Sequence, residues 1–362
     1  MLLQRCTLYD AAPGAPAVDL RIEGGRIAAI GELGAAPGGE VVIDAGGRTL
    51  IPGLIDVHIH GAGGADVQDA SAAALETMSR TLARHGVTGF VGTTFLRPSI
   101  GNRHLPLAAE RVGARLGGAK LLGLYLEGPF INPVRRGGLP EECVHPAAPG
   151  ALDEVLALTG GALRLMTIAP ELPGHLAIVE RLADAGVVPA LGHSDATYDE
   201  AKDGFAAGIR HVTHLFNAMR GLHHREPGPL VAIAEDERVH YELIGDGVHV
   251  DGRVARFVQR ALGPERCVLV TDAMRTLGLP DGRYEYAGRE FESQGGAARY
   301  LDGTLIGSAI SVLEVARRFQ GFTDLPFARA IDCASRTPAR LLGLEGRKGS
   351  IAVGNDADLV LL

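Results

Sequence analysis

The sequence predicts an α/β protein: a (β/α)8, TIM-like barrel with a small β-sandwich domain formed by both chain ends. Eight short apolar runs recur along the central part of the chain, and most of them precede a stretch rich in Ala, Leu, Arg and Glu. Strands that alternate with helices pair in parallel, and eight such units over roughly 220 residues match a closed barrel. The two chain ends share an alternating pattern interrupted by glycines, which predicts that they form the smaller domain together.

The chain ends have the character of short antiparallel strands with tight turns. Residues 21–31 (RIEGGRIAAIG), 41–53 (VVIDAGGRTLIPG) and 349–362 (GSIAVGNDADLVLL) share an alternating pattern that glycines interrupt. We therefore expect residues 1–52 plus 344–362 to form the β domain and residues 53–343 to form the barrel.

The barrel elements follow in chain order. The predicted strands are 54–61, 86–95, 121–129, 163–171, 187–195, 211–218, 240–250 and 267–274. Stretches with strong helix propensity lie between several of them, at 69–84, 175–185, 197–206 and 251–262.

Composition excludes some classes of function. A net charge of −8 argues against a general nucleic-acid binder, and no P-loop or dinucleotide fingerprint occurs. No apolar run approaches the ~18 residues of a membrane span, so we expect no membrane partner, no secretory signal and a cytoplasmic location. Four widely spaced cysteines are expected to be buried thiols in a reducing compartment: Cys6, Cys143, Cys267 and Cys333.

Six of the eight predicted strands end in a side chain that suits metal binding or catalysis. A single histidine near a strand end is more often a structural residue, but a barrel brings all its strand ends to one mouth. The combination therefore favours a site over the structural alternative. Its candidate members are His58, His60, Glu127, His193, His214, His249 and Asp272.

The donor types indicate a divalent cation. His58 and His60 lie two apart in a predicted strand and so share a face. Glu127 follows an apolar strand, where an unpaired carboxylate is costly and metal coordination is one resolution. His193 and His214 add nitrogen donors, and imidazole with carboxylate suits zinc, iron or a similar ion. Three protein ligands with an open position describe a catalytic site.

Asp272 ends the eighth predicted strand in the segment VTDAM. A bound metal lowers the pKa of water toward ~7, and a neighbouring carboxylate can take a proton during attack and return it to the leaving group. The alternative roles for Asp272 are a helix N-cap and a structural salt bridge.

Six segments together resemble the N-acetylglucosamine-6-phosphate deacetylases of the amidohydrolase superfamily. The H-x-H pair alone marks only the superfamily, whereas the ordered set LEGPF, GHS, THLFNAM and REPG is far more specific. The resemblance runs along nearly the whole chain, including GTLIGSA at 303–309. The six segments are PGLIDVHIHGAGG, YLEGPFINP, LGHSDATYDEA, THLFNAMRGLHHREPG, DGVHV and VTDAM.

The resemblance implies roles for the metal ligands and the base. Glu127, His193 and His214 would hold the principal metal, and Asp272 would be general base and acid. His58 and His60 would hold a second metal, bridged by Glu127 or the water, as in two-metal members. One or two divalent ions per subunit are expected, with zinc favoured and iron or another ion as the alternative.

The resemblance also implies how a phosphorylated N-acetyl amino sugar would bind. Arg225 would bind the 6-phosphate, reaching into the neighbouring subunit of a homodimer; independently, arginine supplies the forked donors that phosphate needs. Arg135 and Arg136 would add a positive rim unless they are ordinary surface arginines. The other implied contacts are Asn217, Ala218, His249, Leu305, Ile306 and Gly307.

One segment departs from the family pattern. Many members read Gly-Ala-His after the basic pair, whereas RRGGLP places Gly138 and Leu139 at this substrate-facing position. In the family this histidine lies near the reacting carbonyl. If it helps to stabilise the tetrahedral oxyanion, its absence removes one hydrogen-bond donor, and such a loss typically costs ~10²–10³ in rate. We hypothesise that the second metal at His58 and His60 supplies the missing electrophile, with His145 as another candidate. The departure also leaves the sugar epimer open.

The sequence therefore predicts hydrolysis of N-acetylglucosamine 6-phosphate to glucosamine 6-phosphate and acetate, in amino-sugar catabolism or cell-wall recycling. Three alternatives remain: the galacto epimer as substrate, another amidohydrolase activity on a cyclic amide or in deamination, and a non-catalytic barrel. The last would be expected to lose ligands, and this sequence keeps them.

Overall fold

A computed structural model describes residues 1–34 and 38–362 of the chain. That part of the chain contains twenty strands and ten α-helices. The strands are β1 (Leu2–Leu8), β2 (Val18–Glu23), β3 (Arg26–Gly31), β4 (Val42–Asp44), β5 (Thr49–Pro52), β6 (Leu54–Ile59), β7 (Gly61–Ala62), β8 (Ala65–Asp66), β9 (Val87–Thr94), β10 (Lys120–Leu126), β11 (Leu163–Ile168), β12 (Val188–Leu191), β13 (His211–Val212), β14 (His240–Leu243), β15 (Cys267–Leu269), β16 (Gly282–Tyr286), β17 (Arg289–Gln294), β18 (Ala297–Tyr300), β19 (Leu305–Ser308) and β20 (Leu359–Leu361).

The first seven helices each come after a barrel strand, and the other three come after the last of the eight. They are α1 (Ala72–Arg84), α2 (His104–Ala109), α3 (Ala151–Thr159), α4 (His175–Asp184), α5 (Tyr198–Ala207), α6 (Gly228–Glu235), α7 (Gly252–Leu262), α8 (Val312–Phe322), α9 (Phe327–Cys333) and α10 (Arg336–Leu341). The four predicted helical stretches correspond to α1, α4, α5 and α7, which confirms them within a few residues at each end.

The eight predicted barrel strands are β6 and β9–β15, in that spatial order, and all neighbours are parallel. The last residues of β6 meet the segment that follows β15, where Ile59 bridges to Ala273 and the Asp272 amide donates to the His58 carbonyl at 2.9 Å. The predicted TIM-like barrel is therefore confirmed as a nearly closed cylinder. Apolar side chains such as Ile55, Val57 and Leu165 fill its interior.

The strands end earlier than the sequence predicts. The sixth predicted run, 211–218, contains only the two strand residues of β13, and β14 ends at Leu243, six residues before His249. His60 also lies one residue beyond β6 rather than within the strand. The reason is that these polar segments turn away from the sheet to form the loops that carry the site.

Both chain ends contribute to one six-stranded sheet. Its order is β20-β5-β1-β2-β3, with β4 paired to β1, and β20 runs antiparallel to β5. A small separate core that includes Leu3, Cys6, Leu20 and Ile27 stabilises it. The sheet confirms that the two ends fold together. The boundaries at 52/53 and 343/344 stay a prediction, and residues 35–37 of the first segment lie outside the described residues.

A four-stranded antiparallel sheet, β16–β19, follows the eighth barrel strand and was not predicted. Its side chains Tyr286, Phe291 and Tyr300 pack with Phe95 and Leu139 beside the mouth of the barrel. The predicted cysteine burial is confirmed for all four thiols. Among the described residues, we find no helix with the length and apolar character needed to cross a lipid bilayer.

Candidate active site

Two buried groups of metal-binding side chains lie at the barrel mouth. We call Glu127, His193 and His214 the principal group, and His58, His60 and Asp272 the second group. Each residue follows or ends a different parallel strand, apart from the His58/His60 pair. The barrel brings together the six residues that the sequence predicts as metal ligands or base, as expected of its carboxyl-terminal strand ends.

The principal group is a compact triangle of donor atoms. Glu127 Oε1 lies 2.7 Å from His193 Nε2 and 3.0 Å from His214 Nε2, and the two nitrogens are 3.1 Å apart. An ion about 2.0–2.2 Å from each donor fits atoms spaced in this way. Three protein donors at the open mouth of a barrel have the composition of a catalytic metal site.

Glu127 links the principal group to the second. Its other oxygen, Oε2, is 3.3 Å from His60 Nε2. Asp272 Oδ1 is 3.2 Å from the same nitrogen and 3.5 Å from His58 Nε2. One carboxylate therefore faces both groups, which is the arrangement that a bridging ligand between two cations needs.

The charges in this region also suit a cation. Burial alone would lower the pKa of His58 and of His60. The carboxylates of Glu242 and Asp272 nevertheless raise the pKa of His58 to about 9. Those of Asp272 and Glu127 raise the pKa of His60 to about 10. Burial would raise the pKa of Glu127, but His193, His214 and His60 hold it well below its usual range. The carboxylates of Glu127, Asp272 and Glu242 are all buried, and a divalent ion would balance their charge.

Hydrogen bonds on the outer side of two histidines aim their inner nitrogens at the centre. His193 Nδ1 is 2.8 Å from the Arg135 carbonyl and His58 Nδ1 is 2.8 Å from Glu242 Oε2. Both partners only accept, so each Nδ1 carries a hydrogen, and each Nε2 is the nitrogen that would present a lone pair to a bound cation.

Buried atoms without a protein partner complete the fit to a divalent ion. Within the described residues, His58 Nε2 and Asp272 Oδ1 are fully buried yet form no hydrogen bond. Buried polar atoms are almost always satisfied. A nitrogen lone pair and a carboxylate oxygen that face each other are satisfied together by a cation, so the donor set fits the metal that the sequence predicts.

The backbone at the site is strained. His193, His214 and Asp272 have φ values of 48°, 26° and 47°, in the left-handed region that residues other than glycine rarely adopt. Such conformations cost about 1–3 kcal/mol each and cluster at functional sites. The surrounding barrel therefore holds these three side chains in place at the expense of local stability.

A cavity with a volume of about 240 Å³ opens directly above the two groups. Most predicted substrate contacts line it, together with His60, the principal group and Asp272. His58 lies beneath the cavity floor and is fully buried. The predicted substrate residues on the wall are Gly138, Leu139, Asn217, Ala218, His249, Leu305, Ile306 and Gly307.

His249 is held rigidly on this wall. Its Nδ1 lies 2.7 Å from Asp246 Oδ2, and its Nε2 is buried without a partner among the described residues. Because the carboxylate fixes the ring, the second nitrogen is free to accept from a substrate hydroxyl.

Arg225 does not reach the cavity of its own chain. It lies on the exposed loop after His214, where Nη1 donates to His224 Nε2 at 2.7 Å. The guanidinium of Arg135 binds Asp195 at 2.6 Å, and Arg136 Nη1 donates to the Leu139 carbonyl at 2.7 Å. Neither forms part of the cavity wall, so the structure does not bring the predicted positive rim into the site.

Three residues around the site were not predicted from the sequence. Gly137 and Tyr286 line the cavity, and Glu242 lies buried beneath it. Tyr286 comes from the unpredicted sheet, so no local pattern indicated it. Glu242 had a signal, since it is a lone charged residue in the apolar segment HYELIG.

Comparison with known proteins gives a consistent result. Residues 49–362 match the model of the amidohydrolase family. The chain is 40% identical to the N-acetylglucosamine-6-phosphate deacetylase of Bacillus subtilis (strain 168), over 86% of this chain and 80% of that protein. It is 38% identical to the N-acetylgalactosamine-6-phosphate deacetylase of Escherichia coli O157:H7, over 95% and 90%.

A solved structure is similar over the whole chain. It is a mutant of N-acetyl-D-glucosamine-6-phosphate deacetylase from Mycobacterium smegmatis, in complex with N-acetyl-D-glucosamine 6-phosphate. The TM-score is 0.88 and the identity 35%, covering 100% of this chain and 94% of that one.

Proposed function

The chain belongs to the amidohydrolase family, and from this premise we propose that it hydrolyses the N-acetyl group of N-acetyl-D-glucosamine 6-phosphate to glucosamine 6-phosphate and acetate. The single observation that carries the proposal is the bridged pair of donor groups at the floor of a cavity that the predicted substrate residues line. The relatives at 35–40% identity named above support the substrate class.

The principal group would hold one divalent cation and the second group another, with Glu127 facing both. Zinc is the proposed ion because the donors are imidazole and carboxylate without thiolate. When bound, such an ion polarises the amide carbonyl and lowers the pKa of water. Asp272 takes the proton of the attacking water and returns it to the nitrogen that leaves, since its Oδ1 faces the site and forms no hydrogen bond with the described residues.

The cavity wall would orient the sugar. His249 would contact a sugar hydroxyl through Nε2, and the loop residues Asn217 and Ala218 would hold the acetamido side. Leu305, Ile306 and Gly307 would close the entrance, opposite Gly138 and Leu139. We propose that Arg225 binds the phosphate in the neighbouring subunit of a homodimer, because its loop lies outside the cavity of its own chain.

Acetate release tests the function. We expect rapid release from N-acetylglucosamine 6-phosphate by the metal-loaded enzyme, and little from unphosphorylated N-acetylglucosamine. The relative that acts on the galacto epimer makes N-acetylgalactosamine 6-phosphate the second candidate, so both phosphates are compared at equal concentration. Equal rates with and without phosphate would contradict the proposal and favour a different amidohydrolase activity.

We expect Arg225→Ala to lower kcat/KM for the phosphorylated substrate by about 10–100-fold, because a charge-assisted hydrogen bond contributes about 1.5–3 kcal/mol. The rate with unphosphorylated N-acetylglucosamine is expected to stay unchanged. Arg111→Ala, at an exposed arginine that precedes β10, is the matched control. An equal loss with both substrates would show that Arg225 does not read the phosphate.

Mixed dimers test whether Arg225 acts across subunits. A dimer of one Arg225→Ala chain and one Asp272→Asn chain has one complete site only if the arginine comes from the partner. We expect mixing the two impaired variants to raise activity above that of either variant alone. No recovery in verified mixed dimers would place the arginine in its own chain's site.

The second cation is the proposed substitute for the histidine that Leu139 replaces. Leu139 is buried against Ile306 and Tyr286, and His145 does not line the cavity. We therefore expect His58→Ala to bind one cation and to lose about 10²–10³ in kcat. Turnover is measured with one and two metal equivalents, and unchanged activity in His58→Ala would remove this explanation.

A further inference from the structure

A completely buried glutamate lies directly below the two metal-binding groups and has no assigned role. Glu242, on β14, has no solvent-exposed surface. Burial of an ionised carboxylate is costly unless it is paired and hydrogen-bonded. Glu242 meets that requirement with three short contacts, so its cost is offset by the residues around it.

Those contacts reach both groups. Glu242 Oε2 lies 2.8 Å from His58 Nδ1 in the second group and 2.9 Å from the backbone nitrogen of His214 in the principal group. Oε1 lies 2.9 Å from His211 Nε2, at the base of the same loop. One carboxylate therefore fixes the ring of one candidate ligand and the backbone of another.

The contact with His58 has a chemical consequence. A carboxylate that accepts a hydrogen bond from Nδ1–H fixes the histidine tautomer and makes Nε2 a stronger metal ligand. His58 Nε2 is that other nitrogen, and it points at Asp272 Oδ1 3.5 Å away. The contact with His214 involves only its backbone, so the donor strength of that side chain does not depend on Glu242.

We infer that Glu242 is a positioning residue that sets the cation affinity of the second group, while the principal group binds its ion largely without it. The inference rests on the proposed function only in taking both groups as metal sites. It assigns to one buried carboxylate the difference between a one-cation and a two-cation enzyme.

Stepwise titration of metal-free protein with cobalt(II), followed by visible absorption, tests the inference without substrate. Loss of an outer partner of a metal ligand typically costs 10–100-fold in affinity. For Glu242→Gln we therefore expect the dissociation constant of the second cobalt to rise about 10–100-fold, and that of the first to change less than about threefold. The matched control is Asp332→Asn, a carboxylate that pairs with Tyr9 at 2.8 Å, remote from both groups.

Two further variants keep the test decisive. In a His58→Ala background, Glu242→Gln is expected to cause no additional change in cobalt binding, because the ring it acts through is gone. Glu242→Asp keeps the charge but shortens the side chain, so it is expected to weaken the second step less than Glu242→Gln. It also replaces the amide variant if that variant does not fold.

The inference is overturned if a folded Glu242 variant binds both cobalt ions as tightly as the native chain. It is equally overturned if both steps weaken by the same factor, since that is the signature of a general structural role. A native chain that binds two cobalt ions but releases no acetate would refute the proposed function and leave the role of Glu242 intact.

Discussion

Replacement of Asp272 by asparagine is expected to lower kcat by about 10²–10⁴-fold, the usual contribution of a positioned general base and acid. The amide has the same size but cannot accept the proton of the attacking water. Asparagine tolerates left-handed backbone better than most residues, so it suits the φ of 47° at this position. The variant therefore removes the proton acceptor without adding backbone strain.

Fold and principal metal are expected to survive this change. The backbone bonds of Asp272, donated to His58 at 2.9 Å and accepted from Ser308 at 2.9 Å, do not involve its side chain. Acetate release, metal content and unfolding temperature are measured on the same sample. A folded, metal-loaded variant with near-normal turnover would show that Asp272 is not the base.

Replacement of Glu127 by glutamine is expected to remove activity by weakening both cations at once. Oε1 contacts His193 and His214, and Oε2 contacts His60, so the charge of one side chain serves both groups. Loss of an outer partner of a metal ligand typically lowers metal affinity about 10–100-fold. Because Glu127 is itself a candidate ligand, we expect the metal affinity of both groups to fall further than that. Metal content after gel filtration, and turnover at rising zinc concentration, measure the two effects.

Glu200→Gln is the matched control for Glu127→Gln. Glu200 also accepts two short hydrogen bonds, from the Thr197 amide and hydroxyl at 2.8 Å, but it caps α5 and lies outside both groups. The control is expected to keep both ions. If Glu127→Gln retained two ions with native affinity, the bridging role of this carboxylate would be wrong.

The two variants differ in the loss they are expected to cause. Asp272→Asn should lose turnover while the principal group keeps its ion, because the three ligands of that group remain complete. Glu127→Gln should lose both together, and added zinc should restore part of the activity. Restoration of Asp272→Asn by zinc would instead assign Asp272 a role in holding the metal rather than in moving the proton.

Local patterns in the sequence predicted much of the fold. Apolar runs such as 121–129 and 163–171 correspond to β10 and β11, and the helical stretch 251–262 to α7. The predicted strands were too long where polar residues follow the apolar run, as after β13 and β14. Periodicity reports which residues are buried, and the first loop residues at the mouth are buried as well, so the pattern does not distinguish them from strand.

The sequence by itself determined the donor types and their meeting place. His58, Glu127 and His214 stand at the ends of the first, third and sixth barrel strands, and parallel strands in a barrel present those ends at one mouth. The candidate metal ligands at this mouth could therefore be predicted before any distance was known.

Only the tertiary structure decided which other groups serve that site. It placed Glu242 under both groups, added Tyr286 from the sheet β16–β19, and left Arg225 outside the cavity of its own chain. These positions depend on packing between segments far apart in the chain; Glu242 and His58, for example, are 184 residues apart. No local periodicity encodes contacts of that kind, because burial and hydrogen bonding across the barrel are set by how whole strands and loops pack together.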